Sequence, residues 1–193
     1  ALHPGVAPVP GPLPKGRRVA VLTNAGGPGV TAADALEMNG LQLADLSQAS
    51  HDAMKAFLPS AASLHNPVDM LASASPEHYA HCLRIVLDDA GVDSVIVILP
   101  PPPASSAGAV AKAIIPIIQV VDKPVIVALM GEKLIQEGVE FFRAAQVVEY
   151  RFPEWAASAL GALNRRAEML AWLDESPSLP ANPDLGALRA QVD

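Results

Sequence analysis

The chain has 193 residues, a length that suits one domain with tails. Its 13 Lys and Arg against 20 Asp and Glu leave a net charge of −7 with no basic run, which argues against nucleic acid or an anionic membrane as partner. The single cysteine, Cys82, excludes an intrachain disulfide and a cysteine-based zinc site, and no apolar run reaches the length of a bilayer span. With no signal peptide legible either, the expected location is the cytoplasm.

Hydrophobic residues make up 51% of the chain but aromatics only 4%, so the core must be built from Val, Leu, Ile and Ala. That composition fits parallel strands covered by helices on both faces. Residues 1–16 are rich in Pro and Gly and read as a linker or arm, and residues 174–193 read as a C-terminal linker or tail. Between them, residues 17–173 alternate strand and helix patterns.

In chain order, residues 17–23 read as a strand and 29–39 as a helix stopped by Gly40. Residues 41–46 read as a strand and 48–57 as a helix. The segment 66–71, "NPVDML", is a short strand or extended piece. A helix is expected over 76–90, with Ser75 as N-cap and Pro76 at its first position. Residues 94–99 and 124–130 are apolar strands without alternation, which marks them as central. Helices are expected over 105–121, 132–145 and 153–173, and an outer strand over 147–152. Such alternation implies right-handed βαβ units. The expected fold is α/β and flavodoxin-like: a parallel sheet in the order 2-1-3-4-5 with an added edge strand. Ligands then bind at the carboxyl ends of the strands.

The loop after the first strand, "TNAGGPG", lies at that edge. Gly26 and Gly27 can adopt backbone angles closed to other residues and let a ligand approach the main chain. Pro28 fits the first turn of a helix, and the free N–H groups of that turn favour an anion. The loop is not a Walker A or a G-x-G-x-x-G dinucleotide fingerprint. A tight turn that binds nothing is the plain alternative. In "HNPVDM", Asn66 and Asp69 could hydrogen-bond a ligand or brace the neighbouring loop, and Pro67 bars a normal central-strand position. Gly131 supplies the turn after another central strand. His78 and His81 lie on one helical face without a third metal ligand, and Cys82 reads as a buried structural thiol. No nucleophile–base–acid set and no metal site emerge.

Four segments taken together carry a resemblance: "RRVAVLTNAGGPGVTAADALEMNGLQLADLS", "LPSAASLHNPVDMLASASPEHY", "GVDSVIVILPPPP" and "KPVIVALMG". In this order they resemble the ligase-CoA domain of the NDP-forming acyl-CoA synthetases, relatives of succinyl-CoA synthetase, over residues 15–173. The resemblance implies a multidomain enzyme using CoA, ATP or ADP, and Mg. In such enzymes a Rossmann domain holds CoA, a neighbouring domain carries a phosphohistidine, and an ATP-grasp unit exchanges the phosphoryl group with the nucleotide. The domain resembling this chain offers a helix N-terminus to that phosphoryl group. Carried over, the cradle is Asn24 and the main chain of Gly26, Gly27, Gly29 and Val30, with Asn66, Pro67, Asp69 and Gly131 shaping it.

The sequence departs from the complete enzyme in several ways. It has no segment resembling S-H-T-G-A for the phosphohistidine, no Gly-rich CoA motif and no ATP-grasp residues. Pro100–Pro103 stand where more distant relatives have glycines. No catalytic residue is therefore assigned to this chain alone. It reads as an excised domain or a subunit that needs partners, and a ligand edge left bare would favour a homodimer. The alternative reading is a non-catalytic ligand-sensing module attached to another activity, such as a protein acetyltransferase.

Overall fold

The structure is a computed structural model that describes residues 11–101 and 105–175. Most of the expected arm and tail, and part of the proline run, lie outside the described residues. Six parallel strands and six helices alternate: β1 (Arg18–Thr23), α1 (Gly26–Met38), β2 (Gln42–Leu43), α2 (Gln48–Lys55), β3 (Val68–Asp69), α3 (Pro76–Asp88), β4 (Ser94–Leu99), α4 (Ala107–Ile118), β5 (Val125–Leu129), α5 (Gln136–Ala144), β6 (Glu149–Tyr150) and α6 (Pro153–Glu175).

The sheet order is β2-β1-β4-β5-β6, with the short β3 also paired to β1. With β3 set apart, this is the expected 2-1-3-4-5 order. Alternate residues of the central strands face two separate cores. Val19, Val21, Ile96, Ile98, Ile126 and Ala128 pack under α1 and α6. Ala20, Leu22, Val95, Val97, Val125 and Val127 pack under the other helices. Both faces are covered, which is why these strands carry no polar alternation.

Small residues let α1 and α6 lie close together. Ala156 and Ala157 are fully buried, and a Cβ on Gly161 would meet the Asn39 Cβ at 3.0 Å. The end of α1 follows the expected stop. Gly40 has φ +74°, its N–H donates to Glu37 O, and Leu41 N–H donates to Leu36 O. This is a Schellman turn, sealed by the buried pair Leu36 and Leu41. The Ser75 hydroxyl caps α3, and the His78 Nδ1 accepts from the Ser75 N–H. His78 and His81 flank the Phe57 ring. Burial pushes the Cys82 thiol up to about 12, as a structural cysteine requires.

β2 is shorter than expected, and a side chain explains why. After Arg18 and Val19 pair with Gln42 and Leu43, the edge of β1 is taken by the Asn66 amide. Its Oδ1 accepts from Val21 N–H at 2.9 Å, and its Nδ2 donates to Val19 O at 2.8 Å and Ala44 O at 3.0 Å. The amide thus stands in for a missing stretch of strand. Beyond it β3 takes over, pairing Leu22 with Val68 and Thr23 with Asp69. The three bonds of the Asn66 amide all go to main chain, and with them it braces the sheet edge. α5 also starts later than expected, at Gln136, and no side chain caps its start.

At the opposite end of the sheet the chain enters under several restraints. The Gly16 carbonyl accepts from Asn164, Arg17 pairs with Glu168, and Arg18 makes a two-pronged pair with Asp93. The Arg18 guanidinium holds the Asp93 carboxyl below its ordinary range. Nearby, burial opposes the charge of Asp89. Donation from the Ser50 hydroxyl, the Ser47 N–H and the Gly91 N–H outweighs it and holds that carboxyl at about 2.

Two outcomes are expected. Asn66→Ala leaves the Val21 N–H and the Ala44 carbonyl of a buried edge unpaired, while Val19 O keeps its bond from the Ala44 N–H, and should cost about 2–4 kcal/mol in urea denaturation. The second concerns pH. The unfolded carboxyl of Asp89 titrates near ~3.9, above its folded value. Its contribution is therefore full above about pH 4 and lost as pH falls through about 2. Wild-type stability should decline over that window, and Asp89→Asn, less stable at neutral pH, should decline less steeply.

Candidate anion site at the start of the first helix

β1 delivers the chain into α1 through Thr23, Asn24 and Ala25. The Thr23 Oγ1 accepts from Ala25 N–H at 3.1 Å and donates to Ala25 O at 3.0 Å, which tightens the turn. Ala25 is the N-cap and offers no side-chain acceptor. The helix starts at Gly26, three residues earlier than expected, so Pro28 occupies its third position. All of the first turn's N–H groups lack helical partners, and a proline is tolerated at any of these positions.

This placement changes the roles of the glycines. Neither Gly26 nor Gly27 has positive φ; both are ordinary helical residues. Their value lies in what they leave out. A Cβ on Gly26 would come 3.3 Å from the Asp69 carboxylate, and one on Gly29 would press on Pro67 at 3.2 Å and Thr23 at 3.3 Å. A Cβ on Gly27 would meet nothing within 4 Å. Gly26 and Gly29 are thus needed for packing, while Gly27 faces open space. Gly29 and Val30 lie deep enough in the helix for their N–H groups to bond carbonyls of the preceding turn. The free main-chain donors narrow to Gly26 and Gly27, which have no partner among the described residues.

The two motifs that stood far apart in sequence therefore touch. Pro67 lies beneath Gly29 and Asp69 beside Gly26. The Asp69 Oδ1 accepts from Leu71 N–H at 2.9 Å, which fixes the carboxylate next to the helix end. Asn24 is buried, and its Oδ1 has no hydrogen-bond partner among the described residues. Gly131 has φ +108°, and a side chain there would collide with Pro101 at 2.9 Å. It holds the end of β5 against the loop that follows β4. Ser106 caps α4 by accepting from Ala109 N–H.

A depression of about 320 Å³ opens beside Gly27, lined by Gly27, Pro28, Thr31, Met130, Phe152, Pro153 and Glu154. It lies between the N-termini of α1 and α6, which run side by side on one face of the sheet. The second helix end was missed in the sequence. "FPEW" carries the signals of a helix start, Pro then Glu, but nothing local says that it lies against α1. No Lys or Arg lines the depression, so any attraction for an anion comes from N–H groups and helix dipoles.

The profile of the ligase-CoA domain matches residues 19–173. The chain belongs to this family. The domain is 38% identical over 161 residues to the alpha subunit of ADP-forming acetate–CoA ligase II of Pyrococcus furiosus, covering 81% of this chain and 35% of that subunit. It is 33% identical over 157 residues to ADP-forming acetate–CoA ligase I of Archaeoglobus fulgidus, covering 81% of this chain and 22% of the relative. Among solved structures, the ligase-CoA domain is similar to the dinucleotide forming acetyl-coenzyme A synthetase 1 of Ca. Korarchaeum cryptofilum. The TM-score is 0.80 at 31% identity, covering 88% of this chain and 37% of that one. The chain thus spans about a third or less of the relatives it matches. Among the described residues, no helix is long and apolar enough to cross a membrane.

The geometry separates glycine needed for folding from glycine needed for access. Gly27→Ala should raise stability by up to about 0.5–1 kcal/mol in thermal or urea denaturation, because it adds helix propensity without a clash. Gly29→Ala should gain less or lose stability, since its methyl group presses on Pro67 and Thr23.

Proposed function

We propose that this ligase-CoA domain is one part of a multidomain ADP-forming acyl-CoA synthetase. In this reading the start of α1 receives a phosphoryl group borne on a histidine of a partner domain while acyl-CoA, acyl phosphate and ATP interconvert. The supporting observation is the uncapped helix end: free N–H groups on Gly26 and Gly27, with open space where Gly27 lacks a side chain. The related Korarchaeum synthetase has also been solved in complex with phosphate and ADP.

The chemistry suits a group in transit. Two main-chain donors and a helix dipole stabilise phosphoryl oxygens without the tight, fixed clamp of a guanidinium. The Asp69 carboxylate beside Gly26 tempers the field further, so that the anion is held but released. CoA, the nucleotide and its Mg belong in this reading to the partner domains. The described residues contain no group of three or more His, Cys, Asp or Glu able to hold a metal ion.

The reading is tested in the complete parent enzyme. Gly27→Val fills the open approach to the two N–H groups. ATP formation from acyl-CoA, ADP and phosphate should fall at least ~100-fold, the scale seen when an oxyanion donor is removed. Thermal melting should stay close to wild type. Unchanged turnover in a folded variant would remove the phosphoryl role.

A further inference from the structure

The second half of α6 is tied to the amino edge of the sheet and then runs on into solvent. Asn164 donates to the Gly16 carbonyl and Glu168 pairs with Arg17, in the chain that leads into β1. Residues 169–175 follow within the same helix and add about 10 Å to its length. From Arg165 to Asp174 every residue except Ala167 is exposed. Met169, Leu170 and Leu173 are 58%, 40% and 54% exposed. With Arg166 they stand at i, i+3, i+4 and i+7, which is one face of a helix. An apolar stripe on the tip of an exposed helix marks a contact surface.

The charges beside the stripe select its occupant. Arg166 and Asp174 have no ion-pair partner among the described residues. Asp174 lies in the last turn of α6, which holds no basic residue, so the negative end of the helix dipole meets a carboxylate. Alone, this helix end is electrostatically mismatched. We propose that α6 pairs with α6 of a second copy of the chain, antiparallel about a twofold axis that passes beside Met169 and Leu170. Met169, Leu170 and Leu173 of the two copies then interdigitate, and Arg166 of each copy comes level with Asp174 of the other. The pairing brings to each helix end the cation it lacks, and the symmetry makes that contact twice. A parallel pair would set Arg166 on Arg166 and Asp174 on Asp174. The stripe is short, so the dimer is weak and reversible. It forms at the opposite end of the sheet from the start of α1 and leaves that helix start uncovered in both copies.

The test is sedimentation velocity of the 193-residue chain over a wide concentration range, with circular dichroism melts at low concentration to show that each variant folds. Wild type should shift from monomer to dimer as concentration rises. Leu170→Asp should abolish that shift and leave the melt unchanged. Arg166→Asp and Asp174→Arg should each weaken self-association roughly tenfold, because each turns two attractive contacts into repulsive ones. An equimolar mixture of these two variants should associate again, since the contacts between positions 166 and 174 are then of opposite charge across the pair. A merely sticky helix end would show no such rescue, and its absence would overturn the antiparallel pairing. A wild type that stays monomeric throughout, or dimerises as well with Leu170→Asp as without it, overturns the proposal. So does a wild type that is monomeric while a chain ending at Glu175 dimerises, because residues 176–193 of the same chain then cover the stripe.

Discussion

The close seating of residues 66–69 against β1 is the constraint from which the site follows. The Asn66 amide occupies the edge of β1 where backbone pairing with β2 ends, and it hands that edge on to Val68 and Asp69. Pro67 and Asp69 are thereby brought under the first turn of α1. Only glycine fits at Gly29 above Pro67 without displacement, and Gly26 clears the Asp69 carboxylate. The start of the helix is held from below, by packing, and its upper side is left free of side chains.

Seen this way, the uncapped N-terminus is consistent with its surroundings. Helices ordinarily satisfy their first N–H groups with a Ser, Thr, Asp or Asn cap. α2, α3 and α4 do so through Ser47, Ser75 and Ser106. α1 has Ala25 in that position and spends its nearest hydroxyl, that of Thr23, on Ala25 instead. α5 too starts without a side-chain cap, after Ile135, so what sets α1 apart is the open space in front of Gly27. The cost of leaving the donors of α1 uncapped is of the order of 1 kcal/mol, small enough for the rest of the fold to absorb.

Much of this was legible in the sequence because the signals are local. Apolar runs marked the central strands, Gly40 marked the end of α1, and Ser75–Pro76 marked the start of α3. The misplaced start of α1 has a local cause too. Pro28 suits any position of a helix's first turn, so it does not fix where the helix begins, and glycines just before it carry loop and helix signals alike. The shortened β2 was not legible, because a side chain from over twenty residues away ends it. Nor was the pairing of two helix starts. That neighbour relation follows only once the sheet order places α6 beside α1.

That pairing also bears on how an anion is bound without a cation. One helix end supplies roughly half an elementary charge, and its effect in open water is modest. Asp69 and Glu154 reduce the field further. A site of this kind is therefore weak while exposed and strong only when covered, since removing water raises the worth of each N–H contact severalfold. Lys or Arg in the same place would hold phosphate whether covered or not. Main-chain donors such as those of Gly26 and Gly27 tie retention of an anion to whatever covers them.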